Sequence, residues 1–161
     1  MTIEYDGWEL HYFDEAYNFR TYQFKIINQF VKGKTAEVGP GTGENTNYYL
    51  HKTASLDLFE PSKKIFEILK EKIQNKPNVQ ILNKEFLNHK EKYDTIIYLD
   101  VLEHIEHDQE EFFNAFSNLN EGGYLIVSVP AFNFLYSKFD KDVGHCKRYS
   151  KTDFKKFIKQ L

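Results

Sequence analysis

The stretch Glu37-Val38-Gly39-Pro40-Gly41-Thr42-Gly43 decides the fold of this chain. It follows a short strand candidate, Thr35–Val38, and precedes a helix that runs through Tyr48–Leu50. Glycine lets the backbone approach a ligand closely, and free N–H groups at the start of a helix favour polar or anionic groups. A strand, a glycine-rich turn and a helix in this order predict a nucleotide-binding turn, with an ordinary strand–helix turn as the simpler alternative.

The glycine spacing discriminates between kinds of nucleotide. A dinucleotide-binding fingerprint reads G-x-G-x-x-G, with its third glycine close to the helix. Here the spacing is G-x-G-x-G, and Glu44 stands where that third glycine would be. A carboxylate in the first turn of a helix repels a pyrophosphate, and no Gly-Lys-Ser/Thr follows as a Walker loop requires. A ligand without phosphates therefore suits this turn better.

Glu60 marks a second binding position at the end of the next predicted strand, Ser55–Phe59. It follows the turn by about twenty residues, where an acidic side chain can accept hydrogen bonds from both ribose hydroxyls of a nucleoside. The alternative is a carboxylate at the N-terminus of the helix that begins at Pro61-Ser62. The two roles are compatible.

The remaining chain alternates short apolar strands with amphipathic helices. The pattern predicts an α/β fold, a Rossmann-like doubly wound and mostly parallel sheet of about five strands with helices on both faces. The glycines of Glu121-Gly122-Gly123 are expected to end the helix before the fifth strand. Ser150 and Asp153 have the spacing of a capping box at the start of the last helix. Further strands are predicted at 79–82, 95–99 and 124–129, and helices at 5–32, from 61, over 112–119 and from 150.

The size and charge of the chain predict one domain without nucleic-acid or membrane partners. Its 161 residues carry a formal net charge of −3, which gives no general attraction to polyanions. Cys146 has no second cysteine to pair with, and neither a signal peptide nor an apolar membrane span is visible, so a cytoplasmic location is expected. The domain divides into a helical cap (1–33), a cofactor-binding core (34–130) and a substrate-side loop with the last helix (131–161).

These motifs, in this order, resemble those of class I S-adenosylmethionine-dependent methyltransferases. The resemblance covers about Glu37 to Pro130 and includes Leu58–Ser62, Tyr93–Ile97, Asp100–Ile105 and Leu119–Leu125. It implies that S-adenosyl-L-methionine is the cofactor, that Glu37 and Gly39 hold its methionine part, that Gly41 lines its sugar and that Glu60 binds the ribose. Glu85 would accept from the adenine amino group with Phe86 beside the ring. The expected cofactor contacts also include Pro40, Gly43, Pro61, Asp100 and Val101.

Asp100, Glu103 and His104 lie at i, i+3 and i+4 and share one face of a helix start. Two carboxylates and an imidazole can bind a divalent ion, but the favoured interpretation is that Asp100 caps the helix and Glu103 completes a capping box. No metal is therefore assigned. His104 can instead act as a base toward a substrate hydroxyl, or simply line the pocket.

The segment after the fifth strand resembles the D-x-x-x-G-H-x-R-R-Y tail of one branch of these methyltransferases. Its residues His145 and Arg148 can recognise a polar or anionic acceptor, with His145 as a second candidate catalytic group. The alternative is a loop locked by Arg–carboxylate and tyrosine hydrogen bonds. Asn18–Gln23 resembles the same branch, whose members close the pocket with such a helix. The candidate acceptor-binding residues are Tyr12, Phe19, Tyr22, His104, Phe132, His145, Arg148 and Tyr149.

The expected function is methyl transfer to an O- or N-nucleophile of a small molecule. A non-catalytic fragment that binds the cofactor or a partner is the first alternative, and an NAD-dependent oxidoreductase is a weaker one. The family fold has seven strands, the last two forming an antiparallel hairpin, and five are counted here. We therefore expect a truncated sheet whose exposed fifth strand can pair with a second chain.

Overall fold

Five parallel strands form one sheet in the computed structural model, which describes residues 16–73 and 76–161. The spatial order is β3-β2-β1-β4-β5. The chain builds outward from β1 to β3 and then crosses to β4 on the other side, so the order reverses between β1 and β4. In open α/β sheets ligands bind outside the carboxyl ends of the strands at this reversal. The strands are β1 (Lys34–Val38), β2 (Ser55–Phe59), β3 (Val79–Leu82), β4 (Tyr93–Leu99) and β5 (Leu119–Ser128).

Within the described residues a helix follows every strand except β3, which leads to β4 without one. The last helix begins in a capping box, in which the Ser150 backbone N–H donates to Asp153 Oδ2 at 2.8 Å, and this prediction is confirmed. In chain order the helices are α1 (Tyr17–Ile27), α2 (Thr46–Tyr49), α3 (Lys63–Ile73), α4 (Asp108–Ser117), α5 (Lys138–Asp142) and α6 (Lys151–Ile158).

Both faces of the sheet are covered by apolar side chains. Ile97 belongs to a core cluster that includes Phe24 and Ile27 of α1, whereas its neighbour Ile96 belongs to a second cluster with Ala115 of α4. Successive residues of a strand point to opposite faces, so a buried run on β4 requires a helical layer on each side. The predicted doubly wound α/β class is therefore confirmed.

Three local predictions are wrong. The first helix ends at Ile27 instead of Lys32, and its predicted beginning lies outside the described residues. Helix α4 ends at Ser117 instead of at Glu121-Gly122-Gly123, because β5 already begins to pair at Leu119. Gly122 does adopt a positive φ of 71°, but it lies within β5 where the register against β4 shifts.

The third error concerns the segment after β4. Asp100 has a left-handed backbone (φ 55°), and the single 3-10 turn Leu102–His104 begins without a side-chain cap. Asp100 and Glu103 therefore form no capping box, which leaves their side chains for other contacts.

β5 is an edge strand of the sheet formed by the described residues, as predicted. Within that same part of the chain no helix combines the length and the apolar character needed to cross a membrane.

Candidate cofactor-binding site

The glycine turn continues directly from β1 and is tied to β2. The Gly39 backbone N–H donates to the carbonyl of Phe59 at 2.9 Å, so the turn starts level with the end of the second strand. Gly39 has a φ of 65°, and a Cβ built there would lie 2.6 Å from Cγ2 of Val101. Only glycine allows β1 to approach the segment after β4 this closely. The two motifs that the sequence assigned to one ligand are in contact.

The third glycine of the turn is explained by packing. A Cβ on Gly43 would lie 2.6 Å from Cδ1 of Ile73 and 2.7 Å from Cδ1 of Leu69, both on α3. Gly43 therefore admits the apolar face of α3 beneath the turn. Its predicted role as a cofactor contact stays a prediction.

Glu60 lies against the same turn. It is almost fully buried at the end of β2, and its Oε1 accepts the backbone N–H of Ser62 at 2.9 Å. The backbone N–H of Gly41 also hydrogen-bonds to this carboxylate. Burial nevertheless raises the pKa of Glu60 to about 7. The second-strand acid and the glycine turn thus form one unit, as the sequence predicts.

Glu37 is the second-last residue of β1, just before the glycine turn, and its side chain is also buried. Its Oε2 accepts a hydrogen bond from Thr46 Oγ1 at 2.7 Å and another from the Tyr49 hydroxyl, both on α2. Burial raises the pKa of Glu37 to about 7, although both hydrogen bonds favour the ionised form. In this structure Glu37 joins β1 to α2 below the turn, and its predicted contact with the methionine part stays a prediction.

The electrostatics of this unit favour a cationic ligand over a phosphate. The charge of Glu37 contributes to the raised pKa of Glu60, which shows that the two acids share one environment. Helix α2, which follows the turn, has only four residues and offers little of the dipole that holds a pyrophosphate. A positively charged ligand with ribose hydroxyls matches both properties.

Asp100 and Val101 close the site from the side of β4. The backbone N–H of Asp100 donates to the carbonyl of Ser128 at 2.9 Å, and the side chains of these residues are also hydrogen-bonded. Gln23 of α1 donates to Ser128 Oγ at 3.1 Å. Burial raises the pKa of Asp100, and the charge of Arg20 is close enough to oppose this shift in part. Arg20, Gln23 and Ser128 are not among the predicted site residues, although the first two lie in the Asn18–Gln23 stretch that resembles the family. The sequence signal that could have indicated them is a polar residue at the end of β5, Ser128, and two polar residues on the amphipathic helix α1, Arg20 and Gln23.

The residues after β3 divide between surface and core. Glu85 is exposed, so its carboxylate is accessible. Phe86 is 1% exposed and packs edge-to-face on Phe59, with ring centroids 4.9 Å apart. Phe86 thus belongs to the core beside the site, and its predicted place beside the adenine ring stays a prediction.

A second polar group lies beyond Asp100, around His104 and His145. Their rings are perpendicular, with centroids 4.7 Å apart. Glu103 is fully buried beside them, with its Oε1 3.9 Å from His145 Nε2. Burial raises the pKa of Glu103 to about 8 and lowers that of His104 to about 4. The structure brings together the two predicted catalytic histidines and adds Glu103.

The tail locks His145 in place. Asp140 is fully buried and accepts from His145 Nδ1 at 3.0 Å, from Arg148 Nε at 2.7 Å and from Arg148 Nη2 at 2.9 Å. The Tyr149 hydroxyl is bonded to the Leu102 carbonyl and the Asp108 carboxylate. These are the bonds of the locked-loop alternative, so recognition of an acceptor by Arg148 or Tyr149 stays a prediction.

The remaining candidate acceptor residues are surface aromatics. Phe19 and Tyr22 of α1 and Phe132 after β5 are each more than half exposed. Phe132 also has a positive φ of 65°, which is rare for an aromatic residue. Tyr12 lies outside the described residues. The structure leaves these rings available, and their role in acceptor binding stays a prediction.

A doubly wound sheet with a glycine turn beside a second-strand acid is the arrangement of a class I methyltransferase. The chain belongs to the methyltransferase-domain family, whose model matches residues 11–161. That family uses S-adenosyl-L-methionine. The family predicted from the sequence motifs is therefore confirmed. No curated protein matches the chain.

Solved structures share the fold at low sequence identity. A SAM-dependent methyltransferase from Leishmania major is 17% identical with a TM-score of 0.71, over 89% of this chain and 62% of that one. The N-methyltransferase NodS from Bradyrhizobium japonicum, in complex with S-adenosyl-L-homocysteine, is 15% identical (TM-score 0.72, 88% and 73%). Phosphoethanolamine N-methyltransferase 2 from Haemonchus contortus, in complex with S-adenosyl-L-methionine, is 12% identical (TM-score 0.74, 87% and 36%). The chain spans 62–67% of the length of the first three structures matched.

Proposed function

We propose that this chain binds S-adenosyl-L-methionine at the Gly39–Gly43 turn and transfers its methyl group to an O- or N-nucleophile of a small molecule. The observation that carries the proposal is the hydrogen bond between the Gly41 backbone and Glu60, because it unites the turn and the ribose-binding acid. The space that a Cβ on Gly39 would fill lies beside this pair, against Val101. The residues present therefore fit the cofactor.

Each residue of the site has a physical task in this proposal. Glu60 accepts hydrogen bonds from the ribose hydroxyls, and the bare backbone at Gly39 and Gly41 leaves room for the adjoining chain of the ligand. Glu37 keeps the turn on α2 through Thr46 and Tyr49 and adds negative charge beneath it. Val101 provides the apolar wall opposite Gly39.

The chemistry asks little of a catalytic base. When bound, the cofactor supplies a methyl group already activated by a positively charged sulfur. The protein must hold the acceptor in line with that methyl group and exclude water. In this proposal His104 and His145 lie on the acceptor side, beyond Asp100, and either can take a proton from a hydroxyl acceptor as long as its ring is not a metal ligand. An amine acceptor that arrives neutral needs no such base.

A small acceptor is favoured by the character of the exposed residues around the site. Phe19, Tyr22 and Phe132 are exposed aromatic rings, and the formal net charge of the chain is −3. Aromatic surfaces suit a small apolar or aromatic molecule, whereas a nucleic acid requires a basic face.

Calorimetry and a transfer assay test the proposal separately. We expect S-adenosyl-L-homocysteine to bind with a stoichiometry of about one and NAD⁺ not to bind, with Glu60→Gln weakening binding and the exposed Glu71→Gln on α3 leaving it unchanged. In a cell extract with labelled methyl donor, label should appear in the small-molecule fraction. Label in protein or nucleic acid would contradict the acceptor class, and no uptake of either S-adenosyl ligand would contradict the whole proposal.

A binding role without catalysis is the second candidate. It is favoured by the locked tail, in which Arg148 is bonded to Asp140 and the Tyr149 hydroxyl to the Leu102 carbonyl and the Asp108 carboxylate, so that these polar groups are engaged within the protein and not by an acceptor. Binding with a stoichiometry of about one and no label transfer to any fraction would support it over catalysis.

A further inference from the structure

Glu103, His104 and His145 form a cluster that the cofactor site does not use. Each offers one ligand atom, and these atoms all lie within 4.8 Å of one another. We propose that the three residues bind a divalent transition-metal ion of the zinc class, on the acceptor side of the methyl-transfer site. The binding of the ion stands on this geometry alone, whereas its place beside the acceptor rests on the proposed function.

The side chain of Glu103 is the observation that points to a ligand. It is 0% exposed, and neither carboxylate oxygen has a hydrogen-bond partner in another of the described residues. A buried carboxylate without partners is costly, and such groups in native proteins are paired, coordinate a metal or take up a proton, which a bound cation would displace. Both oxygens of Glu103 are therefore available to a cation held between them and the histidines.

His145 is oriented as a metal ligand usually is. Its Nδ1 is bonded to the Asp140 carboxylate at 3.0 Å, which directs Nε2 toward Glu103, 3.9 Å away. Asp140 is itself fixed by two bonds from Arg148 and one from the Ser137 backbone. A carboxylate behind a ligating histidine fixes the ring and increases its basicity. The locked tail thus has a task, which is to present one imidazole nitrogen.

His104 completes the set from the other side. A hydrogen bond to the Gly144 backbone holds its ring, and the perpendicular packing on His145 keeps the two imidazoles adjacent. Ligands of a tetrahedral zinc ion at about 2.1 Å are about 3.4 Å from each other. The distances between the three ligand atoms would shorten by at most about 1.4 Å around an ion, from 4.8 Å to about 3.4 Å, which is within the reach of side-chain rotation.

The ligand types select the metal. Two imidazoles and one carboxylate suit zinc, iron, cobalt or manganese, whereas magnesium and calcium prefer oxygen ligands. Three protein ligands also leave a coordination position open, as in catalytic zinc sites. Glu103 and His104 follow the carboxyl end of β4, just after Val101 at the glycine turn. An acceptor oxygen at the open position would therefore lie near the bound cofactor.

The test uses the full chain, stripped with a chelator and titrated with Zn²⁺ against a chromophoric competitor. We expect about one tightly bound Zn²⁺ per chain, little binding of Mg²⁺, and a loss of affinity of more than about a hundredfold in Glu103→Gln and in His145→Ala. The matched control is His51→Ala, which removes an exposed histidine elsewhere and should leave Zn²⁺ affinity unchanged.

Two further measurements keep the outcomes separate. Co²⁺ should give the intense visible absorption of a low-coordinate site in the wild type and in His51→Ala, and not in Glu103→Gln. Circular dichroism of each variant tests whether it is folded. Zn²⁺ binding that is weak, or equal in Glu103→Gln and the wild type, would overturn the metal site. Calorimetry with S-adenosyl-L-homocysteine on the stripped protein reports the proposed function independently, because the cofactor contacts lie outside the cluster.

Discussion

The pH dependence of cofactor binding follows from the burial of Glu60. Its pKa is about 7, and a ligand whose ribose hydroxyls donate to the carboxylate binds the ionised form. About nine tenths of the group is ionised at pH 8 and about one tenth at pH 6. The affinity for S-adenosyl-L-homocysteine should therefore rise about tenfold from pH 6 to pH 8, equivalent to about 1.4 kcal/mol.

Calorimetry of wild type, Glu60→Gln and Glu71→Gln at both pH values tests this prediction. In Glu60→Gln the ratio of the two affinities should fall by about tenfold, and the affinity at pH 8 should be lower by about 1.5–3 kcal/mol, the usual worth of hydrogen bonds to a charged group. The ligand and Glu37, whose pKa is also about 7, contribute the same pH dependence in all three proteins. The difference between the wild type and Glu60→Gln therefore reports Glu60. An unchanged ratio in Glu60→Gln would refute the argument.

Three further predictions concern the supports of the site. Gly39→Ala should lower the free energy of unfolding by about 2 kcal/mol or more, measured by denaturant titration, because its φ is positive and its Cβ would contact Val101. Tyr149→Phe should cost about 1–2 kcal/mol in the same assay, because the variant loses the buried hydroxyl proton that the Leu102 carbonyl and the Asp108 carboxylate share. Arg148→Ala should make the loss of stability below about pH 4 shallower, since Arg148 holds the pKa of Asp140 well below its usual value.

The sign of the last prediction follows from proton linkage. A carboxyl whose pKa is depressed by folding contributes stability above its unfolded pKa, and that stability is lost as the pH falls. Without Arg148 the depression is smaller, so less remains to be lost on acidification. A steeper acid transition in Arg148→Ala would contradict this reasoning, as would a Gly39→Ala protein or a Tyr149→Phe protein of unchanged stability.

The fold and the central pair of the site could be predicted because their causes are local in sequence. The alternation of apolar strands and amphipathic helices fixes a doubly wound sheet, and parallel strands bring their carboxyl ends to one edge. Glu60 and the glycine turn must then lie close together, since each directly follows one of two adjacent strands. The spacing of the glycines was sufficient to disfavour a dinucleotide.

Features that depend on tertiary contacts could not be predicted in this way. Helix α4 ends before Gly122 because β5 begins pairing at Leu119, and the sequence alone does not show where pairing begins. The burial of Phe86 depends on contacts with strands β2 and β4. The approach of His145 to Glu103 depends on the loop after α5, where the Cys146 backbone N–H donates to the carbonyl of Glu103 at 2.7 Å. Asp100 has the residue type of a helix cap, but its left-handed backbone directs the chain into a 3-10 turn.

A crystal structure with S-adenosyl-L-homocysteine tests the central claim most directly. We expect both ribose hydroxyls to lie within hydrogen-bonding distance of the Glu60 carboxylate, and the amino-acid part of the ligand to lie over the backbone of Gly39 and Gly41. A ligand bound elsewhere, or one whose sugar makes no contact with Glu60, would contradict it.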